Sequence, residues 1–319
     1  MPEALAIGID AGGTKVAGSL VDVGNEGEIL DRRVVDTPAG DAEAATRTIV
    51  AVARDLMGGR DGIRALGVGA AGMVSRDGIV RYAPNVAWRE FPLAERIGRA
   101  VGIPALVDND ANVAAWGEFR FGAGRGSAGM LMLTVGTGIG GGIVSDGKLF
   151  RGAHGFAGEI GHIIVEPGGP LCGCGNEGCW EQVASGRAIG RLGRRAAMDH
   201  PQTLMVELAG GDPDDVDGLV VTAAAQEGDP VAAHVLAEVG RRLGEGIGGL
   251  VNILDPDIVV VGGGVIEAGE LILGPARQAF VDSVEAPGHR PEVPIVAAAL
   301  GNDAGAVGAA DLALREARA

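Results

Sequence analysis

The stretch LAIGIDAGGTKVAGSLVDVGNEGEIL, residues 5–30, predicts three β-strands joined by a glycine-rich turn and a second tight turn. The same plan recurs in GMLMLTVGTGIGGGIVSDGKLFRG, residues 129–152, in the same order and at a similar length. Alternating helices and strands follow in both halves. One α/β plan used twice predicts a duplicated fold of two similar lobes with a central cleft.

Apolar residues recur at helical spacing in several segments that follow these strands. The expected helices cover about 41–57, 91–101, 183–198, 218–227, 231–253 and 303–317. The 319-residue length agrees with two domains at roughly 150 residues each. We therefore expect a small α/β domain of residues 1–110, completed by a C-terminal helix at 301–319, and a large α/β domain of residues 111–300.

The composition argues against several classes of protein. The formal net charge is −16, whereas a nucleic-acid-binding face needs positive charge to neutralise phosphates. Acidic residues also disfavour binding to an anionic membrane surface. The chain has no apolar run of about 18 residues and no charged-then-apolar leader. We expect a cytoplasmic protein that binds neither nucleic acid nor membranes.

A second informative stretch is EIGHIIVEPGGPLCGCGNEGCWE, residues 159–181, which contains all three cysteines of the chain. Cysteines are often buried as small apolar residues, but such residues rarely cluster in a polar, glycine-rich loop. Three thiols and one imidazole complete the ligand set of a structural zinc site. The predicted ligands are His162, Cys172, Cys174 and Cys179. Two acids, Glu159 and Glu181, bracket this zinc-stapled loop.

Three glycine-rich turns follow predicted strands, and such turns expose backbone N–H groups that can bind phosphate oxygens. Together they predict a bound nucleotide at Asp10, Gly12, Gly13, Thr14, Lys15, Gly136, Thr137, Gly138, Gly262, Gly263 and Gly264. No GxxxxGK[ST] loop occurs, and GTGIGG opens a strand rather than a helix, so a dinucleotide fold is rejected. Asp10 is either a Mg²⁺ ligand or a turn former, and the role of Lys15 stays open.

An acid lies where a strand meets a helix, in VDNDANVAAWGE, residues 107–118. Asp108 or Asn109 can cap this helix, which leaves Asp110 to face the cleft. Phosphoryl transfer to an alcohol needs positioning, charge neutralisation and an acceptor for the hydroxyl proton. Asp110 is therefore the predicted general base.

The combination of DAGGTK, VDNDANVAAWGE, TVGTGIGGG, ExGH and CxCGxxGCxE resembles the ROK family of sugar kinases and repressors. The resemblance covers essentially the whole chain, and GAAGMV and APNVAW look most like the glucokinase branch. It implies a two-lobed, actin/hexokinase-like (ribonuclease H-like) fold. It also implies transfer of the γ-phosphoryl group of ATP, bound with Mg²⁺, to the 6-hydroxyl of glucose.

The same resemblance implies roles for individual residues. Asp110 would take the proton of the sugar 6-hydroxyl, and His162 would bind both zinc and sugar. The implied sugar-binding residues are Gly72, Asn85, Asn109, Asp110, Glu159, His162 and Glu181. Ala71 stands where the family often has proline, which we expect to tune sugar preference. Family members are commonly dimers or tetramers, so we expect a homo-oligomer with its dimerisation surface in the large domain.

Other functions remain open at this point. A sibling kinase for fructose, mannose or an N-acetylhexosamine would use the same residues, and polyphosphate could replace ATP as donor. Repressors of the family carry an N-terminal DNA-binding module, but the first strand here begins by residue 5. The remaining histidines, His154, His200, His234 and His289, are expected to be ordinary surface or core residues.

Overall fold

The computed structural model describes residues 4–317 of the chain. Within it the chain forms two compact units. The first comprises the residues up to Met132, Gly142–Gly158, and those from Ala298 onward, and the second comprises Leu133–Gly141 and Glu159–Ala297. The predicted boundaries 1–110, 111–300 and 301–319 stay a prediction.

Thirteen strands form three sheets in the described part of the chain. They are β1 (Leu5–Ala11), β2 (Lys15–Asp22), β3 (Glu28–Asp36), β4 (Leu66–Ala70), β5 (Met73–Val74), β6 (Val80–Tyr82), β7 (Arg89–Phe91), β8 (Ala105–Asn109), β9 (Met130–Val135), β10 (Ile139–Ser145), β11 (Lys148–Leu149), β12 (Ile258–Gly262) and β13 (Ile295–Ala297). One five-stranded sheet has the order β3-β2-β1-β4-β8 and the other β11-β10-β9-β12-β13. Because both sheets place three sequential strands beside two later ones in the same order, the predicted duplication of an α/β plan is confirmed.

Ten α-helices accompany these sheets among the described residues. They are α1 (Ala42–Met57), α2 (Leu93–Val101), α3 (Asp110–Phe121), α4 (Glu181–Ala184), α5 (Gly186–Asp199), α6 (Leu204–Leu208), α7 (Gly218–Gln226), α8 (Pro230–Leu254), α9 (Glu270–Ser283) and α10 (Ala304–Glu316). Residues 4–317 include no helix with the length and apolar character that a membrane span requires.

Local sequence explains where the longer helices begin and end. Asp41 caps α1 by accepting the amides of Glu43 and Ala44, and Gly58 ends the helix in the left-handed conformation. Asp229 caps α8 in the same way, directly before Pro230 in its first turn.

The core of the first unit forms around its central strands. β1 and β4 read as nearly continuous apolar runs, because both faces of a parallel pair are covered. Helix α10 packs against this sheet through backbone contact. A Cβ added to Gly8 would lie 1.8 Å from the carbonyl oxygen of Ala306, and one on Gly67 would lie 1.9 Å from that of Ala309. Only glycine permits so close an approach.

Candidate active site

Three parallel strands of the first unit end at one edge of its sheet. β1 pairs with β4 and β4 with β8, in a register that aligns Asp10, Gly69 and Asp108. Ligands in open α/β sheets bind beyond the carboxyl ends of such strands. This register brings Asp10 and Asn109 to the same edge, where Asp110 follows directly in the chain and Gly72 is hydrogen-bonded to Asn109.

The junction of β8 with α3 holds Asn109 and Asp110 in place. Asn109 caps the helix by accepting the Asn112 amide at 3.1 Å, and its Nδ2 donates to the Gly72 carbonyl at 3.0 Å. Asp110 is the first helical residue and stays partly accessible. Its Oδ1 accepts the Ala111 amide at 2.9 Å, which leaves Oδ2 available to a substrate.

Both carboxyl groups at this edge are harder to ionise than usual. Burial, together with the nearby charge of Asp110, raises the pKa of Asp10 from 3.8 to about 6. Burial also raises the pKa of Asp110 above its ordinary value. Two acids with raised pKa values at the end of a sheet are typical of a site that binds a cation or moves a proton.

The other predicted residues of the first unit adjoin this edge. Gly72 has φ +137°, and a Cβ there would lie 2.3 Å from the Tyr82 carbonyl oxygen, so the position requires glycine. A Cβ on Gly13 would lie 2.6 Å from Cβ of Asn85, which places the first glycine turn against that asparagine. Gly12 closes the turn with an amide hydrogen bond to the Lys15 carbonyl at 3.0 Å. The side chains of Thr14 and Lys15 are exposed.

In the second unit, the four predicted ligands converge. The donor atoms of His162, Cys172, Cys174 and Cys179 all lie within 4.8 Å of one another. Cys174 Sγ is 3.6 Å from Cys179 Sγ, and Cys172 Sγ is 3.6 Å from His162 Nδ1. Tetrahedral zinc with bonds of about 2.3 Å would space two sulfurs by about 3.8 Å. The donor set and its spacing therefore fit a metal ion.

The two acids that bracket the loop lie beside this cluster. His162 turns Nδ1 toward the sulfurs, and its Nε2 lies 4.0 Å from Glu159 Oε2. Glu181 Oε1 accepts a hydrogen bond from the Cys172 thiol at 3.0 Å. Cys172 thus lies beside both the His162 imidazole and the Glu181 carboxylate.

Two of the glycine turns in the second unit meet at a cavity of roughly 770 Å³. Gly136, Thr137 and Gly264 line it. Gly263 has φ +90°, and a Cβ there would lie 2.5 Å from the Val135 carbonyl oxygen. The strand ends β9 and β12 can therefore approach each other only because this position is glycine. Gly138, Gly262 and Gly263 are not among the lining residues, and Gly138 instead lies against Glu181.

Much of the cavity wall was not predicted from the sequence. The additional lining residues include Gln182, Gly186, Arg187, Arg191, Arg194 and Asp217. One available signal was the spacing of Arg187, Arg191 and Arg194, which places three guanidinium groups on one face of α5. These cations favour an anionic ligand in the cavity.

The chain is similar to known proteins along nearly its whole length. A profile of the ROK family matches residues 6–316. The glucokinase of Streptomyces coelicolor is 45% identical over 97% of both chains, and that of Thermotoga maritima is 38% identical over 98% of both. A solved structure of a ROK family glucokinase from Streptomyces griseus, in complex with glucose and AMPPNP, matches 98% of this chain and 99% of its own with a TM-score of 0.87 and 45% identity. The chain therefore belongs to the ROK family.

Proposed function

We propose that this protein is a glucokinase, which transfers the γ-phosphoryl group of ATP to the 6-hydroxyl of glucose and releases ADP and glucose 6-phosphate. The observation that carries the proposal is the 45% identity with a glucokinase over nearly the whole of both chains. The site residues support it, because each unit contains part of the chemical equipment that this reaction needs.

Asp110 is the proposed general base. The transferred phosphoryl group needs little covalent help, so the protein's main tasks are to position the sugar and accept its proton. Asn109 and the Ala111 amide hold Asp110 at the start of α3. The raised pKa of Asp110 brings its proton affinity closer to the working pH, as an effective base requires.

Polar side chains in both units are proposed to bind the sugar hydroxyls. They are Asn85 and Asn109, with the backbone at Gly72, in the first unit, and Glu159, His162 and Glu181 in the second. Carboxylates can accept two hydroxyl groups at once. A sugar that lacked one of these hydroxyls would leave a polar group unpaired, which is the main source of discrimination in such sites.

We infer that the metal held by His162, Cys172, Cys174 and Cys179 is zinc. A closed site with three thiolates and one imidazole gives structural rigidity when zinc is bound. In this chain it would fix the ring of His162 and the loop that precedes Glu181. The cluster therefore shapes the sugar site and takes no direct part in phosphoryl transfer.

The nucleotide is proposed to occupy the cavity of the second unit, where Arg187, Arg191 and Arg194 supply positive charge. The amides at Gly136, Thr137 and Gly264 can donate to phosphate oxygens. Asp10, with the turn of Gly12 and Gly13, is proposed to bind the Mg²⁺ that accompanies ATP. Because its pKa is raised to about 6, Asp10 is mostly ionised at neutral pH and can bind a cation.

The proposal is tested by ADP release from purified protein with ATP, Mg²⁺ and a panel of hexoses under identical conditions. We expect glucose to give the largest kcat/KM, above mannose, fructose and N-acetylhexosamines, and ATP to exceed polyphosphate as donor. A preference for another hexose would favour a sibling kinase, and absence of sugar-dependent ADP release would refute kinase activity. Size measurement by light scattering tests the predicted homo-oligomer.

A further inference from the structure

The short helix α4 contacts the turn of residues 136–138 near both of its ends. At its start, a Cβ placed on Gly138 would lie 2.3 Å from Glu181 Oε2. Two residues beyond its end, at the first residue of α5, the Gly186 amide donates to the Gly136 carbonyl at 2.8 Å. The turn contributes only backbone to these contacts. The turn is therefore in direct contact with the Glu181 carboxylate and with the first residue of α5.

Gln182 connects the same helix to the cavity. Gln182 is one of the residues that line the cavity, and its Nε2 donates to Glu181 Oε1 at 3.1 Å. Its backbone carbonyl accepts Nη2 of Arg191 at 2.8 Å, and Arg191 also lines the cavity. A ligand in the cavity thus contacts two residues that hold the helix start and its carboxylate.

The chemistry of the glutamine amide suits a bridging role. The group has two N–H donors and a carbonyl acceptor, and the contact with Glu181 uses one donor. A ligand in the cavity can engage the second donor or the carbonyl oxygen. Such a ligand then fixes the Gln182 rotamer in which Nε2 reaches Glu181. Because this side chain is already ordered, less conformational entropy is lost when a sugar binds to the Glu181 carboxylate.

We propose that Gln182 is a positioning residue that couples nucleotide binding in the cavity to sugar binding at Glu181. The nucleotide orders the Gln182 amide, which holds the Glu181 carboxylate in the orientation that accepts sugar hydroxyls. This inference rests on the proposed function and adds positive cooperativity between the two substrates. By thermodynamic linkage, glucose must tighten nucleotide binding by the same factor.

The test is a calorimetric titration of glucose, alone and with saturating AMP-PNP, into wild-type protein and two variants. Gln182→Met keeps the side-chain length and removes the amide. Gln226→Met is the matched control, since Gln226 is exposed, donates to the Glu267 carbonyl at 2.9 Å and does not line the cavity. We expect AMP-PNP to tighten glucose binding by about fivefold or more in the wild type and the control, and by less than about twofold in Gln182→Met.

An unchanged ratio of the two glucose affinities in Gln182→Met would overturn the proposal. This conclusion would apply even if both glucose affinities fell, because a merely structural role of Gln182 lowers the affinity equally with and without AMP-PNP. Gln182→Ala must give the same loss of coupling, since it cannot repack the helix as methionine could. A wild type that binds glucose equally with and without AMP-PNP would also overturn the coupling while leaving the kinase proposal standing. A wild type that binds no glucose in either titration would refute both.

Discussion

Arg151 forms an ion pair with Asp108, two residues before the proposed general base. The Asp108 side chain is only 5% exposed and that of Arg151 is 21% exposed. Asp108 Oδ1 also accepts the Asn109 amide at 2.8 Å and Asn112 Nδ2 at 2.9 Å. The buried carboxylate is therefore an anchor for the start of α3, and Arg151 supplies its compensating charge.

Replacing Arg151 by methionine should destabilise the first unit strongly. The change leaves a buried, uncompensated carboxylate at Asp108, which typically costs about 3–5 kcal/mol. Urea denaturation measures the loss. The matched control is Arg125→Met, which removes an ion pair whose side chains are 62% and 73% exposed and should cost less than about 1 kcal/mol. Equal losses in the two variants would contradict the anchoring role of Asp108.

Asp110→Asn should abolish most turnover while the protein stays folded. Asparagine keeps the shape of the side chain but cannot accept the hydroxyl proton, so kcat should fall by about 10²–10⁴-fold. Asp146→Asn is a suitable control, because Asp146 is exposed in a turn at φ +50°, a conformation that asparagine tolerates. Near-normal kcat in Asp110→Asn, with glucose as substrate, would rule out its assignment as the base.

Asp10 should make stability depend on pH. Its folded-state pKa of about 6 lies above the ordinary 3.8, so the folded protein binds this proton more tightly than the unfolded chain. The contribution of Asp10 to the free energy of unfolding therefore falls as the pH rises from about 4 to about 6. Without Mg²⁺ and nucleotide, Asp10→Asn should be more stable than the wild type at about pH 7.5, by up to about 3 kcal/mol.

The same comparison at about pH 3 is the internal control, because Asp10 is then protonated in the folded state and mostly protonated in the unfolded chain, so the gain should nearly vanish. Denaturant unfolding at several pH values checks both limits. A stability difference between variant and wild type that does not change with pH would mean that Asp10 titrates normally.

The purified protein should contain close to one zinc per chain after acid digestion. Cys174→Ser removes one of the four proposed ligands and should lower the zinc content and raise KM for glucose more than it lowers kcat. Removal of the metal from the wild type with a chelator should produce the same rise in KM for glucose. Addition of zinc should then reverse it. Active protein that contains no zinc would contradict the metal assignment.

Gly138→Ala should weaken glucose binding. The new Cβ would lie 2.3 Å from Glu181 Oε2, so the carboxylate must turn away from its present position. We expect KM for glucose to rise by about tenfold, which corresponds to about 1.4 kcal/mol, with a smaller change in KM for ATP. Gly249→Ala, an exposed site in α8 with open space around the added methyl group, controls for glycine replacement. A larger effect on ATP than on glucose would assign Gly138 to phosphate binding alone.

Several features of the fold could be predicted because local sequence determines them. The helix α1 follows from its apolar spacing, the cap at Asp41 and the stop at Gly58. The position of Asp110 follows from a strand that runs directly into a helix. The convergence of the three cysteines with His162 follows from ligand chemistry, and the two five-stranded sheets follow from the repeated strand pattern.

Other features depend on contacts that sequence spacing does not encode. β6 and β7 are three residues long, which is too short for a period-2 pattern, and they were not predicted. The contact of Gly138 with Glu181 joins residues more than forty positions apart. Gln182 has no motif of its own, and only its place beside the cavity and Glu181 distinguishes it.

The backbone contacts of α10 with Gly8 and Gly67 have a consequence for biosynthesis. β1 and β4 emerge from the ribosome long before residues 304–316 are translated, yet one face of these strands is covered by that late helix. Until it arrives, the nascent chain must hold an exposed apolar sheet for the time needed to translate more than two hundred further residues. The sheet that contains β1 and β4 is therefore the part of the nascent chain that we expect to depend most on chaperones during synthesis.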